Sequence, residues 1–231
     1  MNIALVVAGG VGARTNNHIP KQFLTIYDKP IIVYTLENLM RAQCFDQIFV
    51  VLNPGWSDFV DSYAKQFEIT AYCGNIASGE TRFQSVLNGF KYLMENGYSE
   101  STVAVVDANR PLIPSRVFNE AIALSKTCDC VVGLEPCYDS MMVADSDTHI
   151  VISAADRSTL FKGQGPEVCK VKEGYDVLSG FSDFPANASI VGSMLLKNKQ
   201  VKYVAGSPLG FKITTAEDIT IFRAMIDGTQ R

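Results

Sequence analysis

An apolar run at the start of the chain leads directly into a glycine-rich loop, and this junction constrains the fold more than any other feature. Residues 2–7 read Asn-Ile-Ala-Leu-Val-Val, which is typical of a strand covered on both faces in a parallel sheet. Gly9, Gly10 and Gly12 follow, and glycines allow backbone N–H groups to face an anion without interference from a Cβ atom. The pattern therefore predicts a strand followed by a phosphate-binding loop formed by Ala8, Gly9, Gly10 and Gly12.

Two cations lie just beyond these glycines. Arg14 comes first, and Lys21 follows within the sequence Pro-Lys-Gln. A guanidinium and an ammonium group beside free amides suit a polyphosphate, because they offset its charge. The Walker pattern is absent, and the dinucleotide fingerprint fails because Thr15 stands where its third glycine is required. The glycines alone would also fit a simple tight turn, but the two cations at this spacing favour phosphate binding.

Apolar strands and amphipathic helices alternate along the rest of the chain. This alternation predicts right-handed crossovers and a single three-layer α/β domain over residues 1–231, built on a mostly parallel, Rossmann-like sheet. The predicted strands are 48–52, 69–73, 102–107, 130–134 and 201–205, and the predicted helices are 31–42, 58–67, 81–97, 115–126 and 215–228.

Residues 136–157 depart from this alternation. Residues 138–143 and 149–154 alternate between apolar and polar side chains around a polar turn at 145–147. The pattern predicts a β-hairpin that projects from the sheet as an arm.

A carboxylate ends the strand predicted at 102–107. Asp107 is followed by Ala-Asn-Arg-Pro, which contains Arg110. Ligands of open α/β sheets bind at the carboxyl ends of the strands, so Asp107 is a candidate site residue. An aspartate that only caps the next loop is the alternative interpretation.

Charge and composition exclude several function classes. The chain has 231 residues, a formal net charge of −4 and dispersed basic residues, which argues against a nucleic-acid surface. It lacks an apolar run near the ~18 residues of a membrane helix and a basic leader segment, so we expect a cytoplasmic protein without membrane contacts. Its six cysteines show no Cys-x2-Cys pairing and are interpreted as small buried side chains.

The first loop resembles that of a known enzyme family. Gly-Gly-x-Gly-x-Arg followed by Pro-Lys-Gln resembles nucleotidyltransferases, and it looks most like the cytidylyltransferases of 2-C-methyl-D-erythritol 4-phosphate and ribitol 5-phosphate. The resemblance implies a nucleotidyltransferase fold and transfer of CMP from CTP to a small phosphorylated polyol, with release of pyrophosphate. Further similar segments lie at residues 78–86, 104–111 and 210–214, so the resemblance covers most of the chain.

The resemblance also implies roles for individual residues. Those implied for catalysis are Arg14, Lys21 and Lys212. Those implied for reading the cytosine edge are the backbone around Gly79 and Glu80 and the hydroxyl of Ser85, although this segment by itself fits an ordinary capped helix equally well. Asp107 would bind Mg²⁺ that bridges the phosphates, and Arg110 would lie near the acceptor phosphate.

The arm has its own implied role. In the resembled family it embraces a second subunit, so the chain is expected to form a homodimer. Ser140 and Arg157 would then contribute to acceptor binding in the neighbouring active site. An exposed hairpin with one surface arginine is the alternative.

The acceptor side departs from the family pattern at several positions. Gly165 replaces a threonine, residues 185–187 replace Thr-Asp-Glu, and Tyr138 replaces an arginine. Val106 and Asn109 also stand where the family has histidine and alanine. Loss of hydroxyl and carboxylate partners predicts a ribitol-5-phosphate-like acceptor rather than methylerythritol phosphate. A 2-C-methyl-D-erythritol 4-phosphate cytidylyltransferase of isoprenoid synthesis, a sugar-1-phosphate nucleotidyltransferase and a binding protein without turnover remain alternatives.

Overall fold

In the computed structural model, which describes residues 1–10, 19–181 and 189–229, a seven-stranded sheet lies between two layers of helices. The strands are β1 (Asn2–Val7), β2 (Thr25–Ile26), β3 (Lys29–Pro30), β4 (Gln47–Leu52), β5 (Tyr72–Ala77), β6 (Thr102–Asp107), β7 (Cys130–Pro136), β8 (Met141–Ala144), β9 (Val151–Ala155), β10 (Phe161–Lys170) and β11 (Val201–Ala205). The helices are α1 (Ile31–Ala42), α2 (Ser57–Gln66), α3 (Arg82–Glu95), α4 (Ser115–Leu124), α5 (Val171–Ser179), α6 (Ile190–Leu196) and α7 (Ala216–Thr229).

The sheet has the order β11-β7-β10-β6-β1-β4-β5. The pairs β1 with β4, β1 with β6, β4 with β5 and β7 with β11 are parallel, whereas β10 is antiparallel to both of its neighbours. The predicted three-layer, mostly parallel architecture is therefore confirmed.

Strand β1 shows why the apolar runs form the centre of this sheet. Ala4 and Val6 pack into the core on the face of α1, α2 and α4, while Ile3 and Leu5 pack into the core on the face of α3, α5 and α6. All four side chains are fully buried, because successive residues of a strand point to opposite faces and both faces are covered.

Several predicted elements have different bounds in the structure. The bounds predicted for the strand at residues 69–73 are wrong, because β5 runs from Tyr72 to Ala77. Gly74, at φ +127, lies beside a register shift between β4 and β5. The side chains of β5 do not alternate regularly between buried and exposed, so the sequence pattern does not mark its bounds. The pattern also gave no prediction of β10, α5 or α6.

The predicted hairpin arm is present. Strands β8 and β9 pair only with each other among the described residues, in a two-stranded sheet separate from the central one. Asp145 closes the turn by accepting hydrogen bonds from the backbone of Asp147 and Thr148. The side chains of β8 and most of those of β9 are exposed, although many are apolar.

A third small core attaches α7 to the rest of the chain. Phe222 of α7 and Ile213 are fully buried with Ile26, Ile31 and Tyr34. This packing holds the segment just before α7 against the end of β6.

Among residues 1–10, 19–181 and 189–229, no helix combines the length and the apolar character needed to cross a bilayer.

Candidate active site

Two adjoining cavities open at the carboxyl ends of the parallel strands. The first has a volume of about 720 Å³ and lies between the loops that follow β1, β4, β5 and β6. The second, of about 590 Å³, lies toward β7, β10 and β11. Arg82, Asp107 and Lys212 line both cavities, so these three residues form the junction between them.

The loop after β1 forms one wall of the first cavity. Ala8, Gly9 and Gly10 of the predicted phosphate-binding loop line it, whereas Gly12 and Arg14 lie outside the described residues. Gly9 has a steric reason to be glycine, since a Cβ atom there would lie 2.8 Å from Cβ of Ser78. The loops after β1 and β5 therefore pack against each other.

The Pro-Lys-Gln segment is folded against the same loop. Gln22 donates hydrogen bonds from Nε2 to the carbonyl oxygens of Ala8 and Gly10, at 2.6 and 2.9 Å. Lys21 precedes it in a short 3₁₀ turn, is largely buried and lines the first cavity. The motif thus contains a structural clamp, Gln22, in addition to the predicted cation, Lys21. The sequence pattern does not reveal this role of the glutamine.

The segment predicted to read the base lies on the opposite wall. Gly79, Glu80 and Ser85 line the first cavity at the start of α3. Gly79 donates its backbone N–H to Oγ of Ser85 at 3.1 Å, and Ser85 donates its hydroxyl to the carbonyl of Thr81 at 2.8 Å. Thr81 and Gln84 form a capping box at the start of α3, and Gln84 also accepts the N–H of Glu80.

Asp107 is the centre of a charged cluster at the junction. Its Oδ2 accepts hydrogen bonds from Nζ of Lys212 at 3.1 Å and from Nε of Arg110 at 3.2 Å. Its Oδ1 lies 3.4 Å from both Nε and Nη2 of Arg82. One carboxylate therefore contacts three cations that come from three different parts of the chain.

The charges in this cluster shift the pKa of Asp107. Burial alone would raise the pKa of this carboxyl, but Lys212, Arg82 and Arg110 together hold it well below its ordinary value. Asp107 is consequently ionised at neutral pH even though its side chain is only 14% exposed.

Arg110 and Lys212 are held near Asp107 by backbone contacts. Arg110 donates to the carbonyl oxygens of Gly210 and Gly163, at 2.7 and 3.2 Å. Asn109 donates its side-chain amide to the carbonyl of Ile213 at 2.7 Å and accepts the N–H of Ile213 at its own carbonyl. Asn109 therefore ties the segment that carries Lys212 to the end of β6.

Two residues at or beside the junction, Arg82 and Glu167, were not predicted as site residues. Arg82, on α3, contacts Asp107 as described, and its Nη2 also lies 3.6 Å from Oε2 of Glu167 on β10. Arg82 lies within the segment compared with the base-reading motif, but only the folded chain shows that its side chain reaches the junction. Glu167 is 7% exposed and lines the second cavity, as does Gly165.

The structure does not bring Ser140 and Arg157 into either cavity of their own subunit. Both residues are exposed on the arm. Arg157 donates from Nη1 to the carbonyl of Tyr138 at 2.8 Å, which fixes it across the base of the hairpin. Residues 185–187, which the sequence compares with an acceptor segment, lie outside the described residues.

The junction offers one acidic ligand, Asp107, to a metal ion that would arrive with a nucleotide. Within the part of the chain that the structure describes, no three His, Cys, Asp or Glu side chains are grouped to hold a metal by themselves. Asp107 supplies one carboxylate that faces both cavities. Mg²⁺ is commonly bound by one or two carboxylates together with substrate phosphates and water, and this donor set suits such an arrangement.

Comparisons with known proteins agree with this geometry. The profile of the IspD family, 2-C-methyl-D-erythritol 4-phosphate cytidylyltransferase, matches residues 2–227. A ribitol-5-phosphate cytidylyltransferase of Lacticaseibacillus paracasei is 30% identical over 98% of both chains. A 2-C-methyl-D-erythritol 4-phosphate cytidylyltransferase of Lachnospira eligens is 31% identical over 99% of this chain and 100% of that protein.

A solved structure shows the same fold. The 4-diphosphocytidyl-2C-methyl-D-erythritol synthase of Anaerococcus prevotii superposes with a TM-score of 0.83 over 98% of this chain and 96% of that one, at 21% identity. The full-length family match and the shared fold lead to one conclusion: the chain belongs to the 2-C-methyl-D-erythritol 4-phosphate cytidylyltransferase family of CTP-dependent nucleotidyltransferases.

Proposed function

We propose that this protein transfers CMP from CTP to the phosphate group of a small phosphorylated polyol, ribitol 5-phosphate or a close analogue, and releases pyrophosphate. The observation that carries the proposal is the pair of cavities that meet at Arg82, Asp107 and Lys212. A reaction between two phosphate esters requires two binding sites joined at a cationic junction, and this arrangement provides them.

The first cavity suits CTP. Its glycine loop and Lys21 would bind the triphosphate, and Arg14 is proposed to add a cation from the same loop. The cytosine would lie near Gly79, Glu80 and Ser85. Since the backbone N–H groups of Gly79 and Glu80 are already bonded to side chains, their carbonyl oxygens are the groups available to accept the exocyclic amine of cytosine. The hydroxyl of Ser85 would have to rotate away from Thr81 to donate to the base.

The second cavity suits the acceptor. An oxygen of the acceptor phosphate attacks the α-phosphorus of CTP, the new oxygen–phosphorus bond forms, and the bond to the bridging oxygen of pyrophosphate breaks. Because the acceptor phosphate is already ionised at neutral pH, no general base is required. Arg82, Arg110 and Lys212 would align the phosphates and offset their charge.

Asp107, together with phosphate oxygens of CTP, would hold Mg²⁺. A magnesium ion bound there supplies further charge neutralisation to the phosphates. For Asp107 to act as a ligand, it must exchange contacts with Lys212, Arg110 and Arg82. Those cations would then contact the substrate phosphates. Their positive charge would thus be offset by Asp107 before binding and by the phosphates after binding.

The choice of ribitol 5-phosphate over methylerythritol phosphate has two supports. Several relatives of about 30% identity carry the ribitol-5-phosphate name, although two others, of 31% and 29% identity, carry the methylerythritol-phosphate name. In addition, Gly165 lines the second cavity without the hydroxyl group of the family threonine. A pocket that loses hydrogen-bond partners for one alcohol is expected to prefer another.

The arm supports a homodimer. Its exposed apolar residues include Tyr138, Met142, Val151 and Ile152, each more than half exposed in the single chain. An exposed apolar surface of this kind is typical of a protein–protein interface. In such a dimer Ser140 and Arg157 would reach the neighbouring acceptor site. A cytoplasmic location, expected from the sequence, fits an enzyme that consumes CTP.

Pyrophosphate release tests the proposal. The purified protein should be assayed with CTP, UTP, GTP and ATP, each combined with ribitol 5-phosphate, methylerythritol phosphate and a sugar 1-phosphate. We expect CTP to be required and ribitol 5-phosphate to have the highest kcat/KM at saturating CTP. A preference for methylerythritol phosphate would refute the proposed acceptor, and CTP binding without turnover would favour a binding protein.

A further inference from the structure

Glu167 is a buried carboxylate that the reaction described above does not use. It lies on β10, opposite Val105 of β6, and it is 7% exposed. Its Oε2 accepts no hydrogen bond from any described residue, and the cation nearest to it is Nη2 of Arg82 at 3.6 Å. Because a buried charged oxygen without a hydrogen bond is costly, its presence beside a cavity calls for an explanation.

Two other polar side chains around the second cavity already make hydrogen bonds within the protein. Gln164 donates from Nε2 to Glu135 at 2.7 Å and accepts the N–H of Ser207 at Oε1. Ser189 accepts the N–H of Gly192 at 3.0 Å, as the cap of α6. Glu167 also lines this cavity, and its buried Oε2 is the atom among these three side chains that lacks a hydrogen bond.

The surrounding charges restrict what can bind to Glu167. A phosphate or carboxylate would be repelled, since Asp107 already adds a second negative charge nearby. Burial raises the pKa of Glu167, and Asp107 raises it further, while Arg82 and the N–H groups of Val191 and Ile190 oppose the rise. A neutral hydrogen-bond donor would satisfy the open oxygen without adding charge, and a hydroxyl group is such a donor.

We propose that Glu167 selects the acceptor by accepting a hydrogen bond from one hydroxyl group of the bound polyol phosphate. This inference rests on the proposed function. Arg82 lies between Asp107 and Glu167, so a phosphate held at the junction by Arg82 would place the first carbons of the polyol beside Glu167. Glu167 thus acts as a specificity-determining residue rather than as a catalytic one.

The test compares acceptors that differ by single hydroxyl groups. The acceptor with the highest kcat/KM and each of its mono-deoxy analogues should be assayed with the wild type, Glu167→Ala and Glu167→Gln. In the wild type, removing the hydroxyl that contacts Glu167 should lower kcat/KM by about 10- to 100-fold, the range expected for a hydrogen bond to a charged group. In Glu167→Ala that one penalty should vanish, while the penalties for the other hydroxyl groups persist. Glu167→Gln should retain part of the penalty for the hydroxyl that contacts Glu167.

Two controls separate this role from a structural one. Calorimetric titration with CTP alone verifies that each variant folds and binds nucleotide; the nearly isosteric glutamine variant carries the comparison if the alanine variant does not fold. Glu173→Gln changes a carboxylate that pairs with Lys199 outside both cavities, and its acceptor profile should match the wild type.

Three outcomes would overturn the inference. One is an equal loss of kcat/KM for every acceptor in the Glu167 variants, which is expected if Glu167 only positions Arg82. Another is a wild type that shows no penalty for any missing hydroxyl. The third is a wild type that binds CTP but transfers CMP to no polyol phosphate, which would refute the proposed function and this inference with it.

Discussion

Oδ2 of Asp107 lies 3.1 Å from Nζ of Lys212, although the two residues are 105 positions apart in the chain. The contact joins the end of β6 to the segment before α7, and the hydrogen bonds between Asn109 and Ile213 hold the two segments together. Asp107 also contacts Arg82 and Arg110, so several cations are gathered before any substrate arrives. In the proposed reaction, the cluster would therefore be preorganised for phosphate groups.

Replacing Asp107 by asparagine should abolish most of the activity without unfolding the protein. Asp107→Asn removes a charge but little volume, and we expect pyrophosphate release at saturating CTP and Mg²⁺ to fall by about 100-fold or more. Far-UV circular dichroism should remain that of the wild type. Asp58→Asn, an exposed change on α2 outside both cavities, is the matched control. Wild-type activity in Asp107→Asn would remove Asp107 from the mechanism.

The same carboxylate should stabilise the folded protein at neutral pH and lose this contribution at low pH. Because the folded-state pKa of Asp107 is below its ordinary value, its stabilising contribution is present above that ordinary value, about pH 4, and is lost as the pH falls through the folded-state pKa. The difference in unfolding free energy between wild type and Asp107→Asn should therefore be constant from about pH 5 to 8 and shrink below about pH 4. Urea denaturation at several pH values measures this, and a difference that peaks at low pH would contradict it.

The glycine loop offers a comparison between adjacent residues. In Gly9→Ala the new Cβ atom would meet Ser78 at 2.8 Å and Ser85 at 3.1 Å, so we expect a loss of about 1–3 kcal/mol in unfolding free energy. At Gly10 a Cβ atom would meet nothing within 4 Å, and Gly10→Ala should leave stability unchanged or slightly higher. Equal destabilisation in both variants, measured by urea denaturation without ligand, would show that the two loops do not pack as described.

Glu167 should show the opposite pH dependence to Asp107. Its folded-state pKa is raised, so the ionised form opposes folding, and stability is lost as the pH rises through the folded-state pKa. Glu167→Gln removes this titration. We therefore expect the thermal midpoint of the variant to rise relative to wild type between about pH 4.5 and 8, measured by differential scanning calorimetry. A difference that does not change with pH would contradict the predicted titration.

The sequence predicts the centre of the fold well because its strands are continuous apolar runs. The bounds of β1, β6 and β11 agree with the prediction, and so does the start of α1 after Pro30. Strand β10 was not predicted, because Gly163, Gly165 and Pro166 interrupt its apolar pattern. Its pairing with β7 also shifts register between Gly163 and Glu167. A local pattern cannot specify an antiparallel strand inserted between two strands of a largely parallel sheet.

In the candidate site, too, residues in local motifs can be predicted from the sequence, whereas contacts between distant segments cannot. Residues in local motifs, such as Gly9, Lys21 and Asp107, can be identified from spacing and resemblance. The contact between Arg82 and Glu167 cannot, because it depends on β10 lying beside β6 and on the start of α3 lying close to both strands. The role of Gln22 as a clamp is hidden for a similar reason, since its partners are the backbone carbonyls of Ala8 and Gly10, whose positions depend on how the loop folds.

Complementation between subunits tests the role of the arm. Arg157 lines neither cavity of its own subunit, whereas Lys21 lines the first cavity. If Arg157 serves the neighbouring site, a mixed dimer of Arg157→Ala and Lys21→Ala contains one site in which both residues are intact. Mixing the two inactive variants under subunit exchange should then restore up to about a quarter of wild-type activity, since half of the dimers are mixed and each has one intact site of two.

Lys21→Ala mixed with Lys212→Ala is the control: both lysines line the same cavity, so no mixed dimer contains an intact site and no activity should return. With exchange confirmed by mass spectrometry of differently tagged subunits, failure of the first pair to recover would place Arg157 in its own subunit's site or outside catalysis.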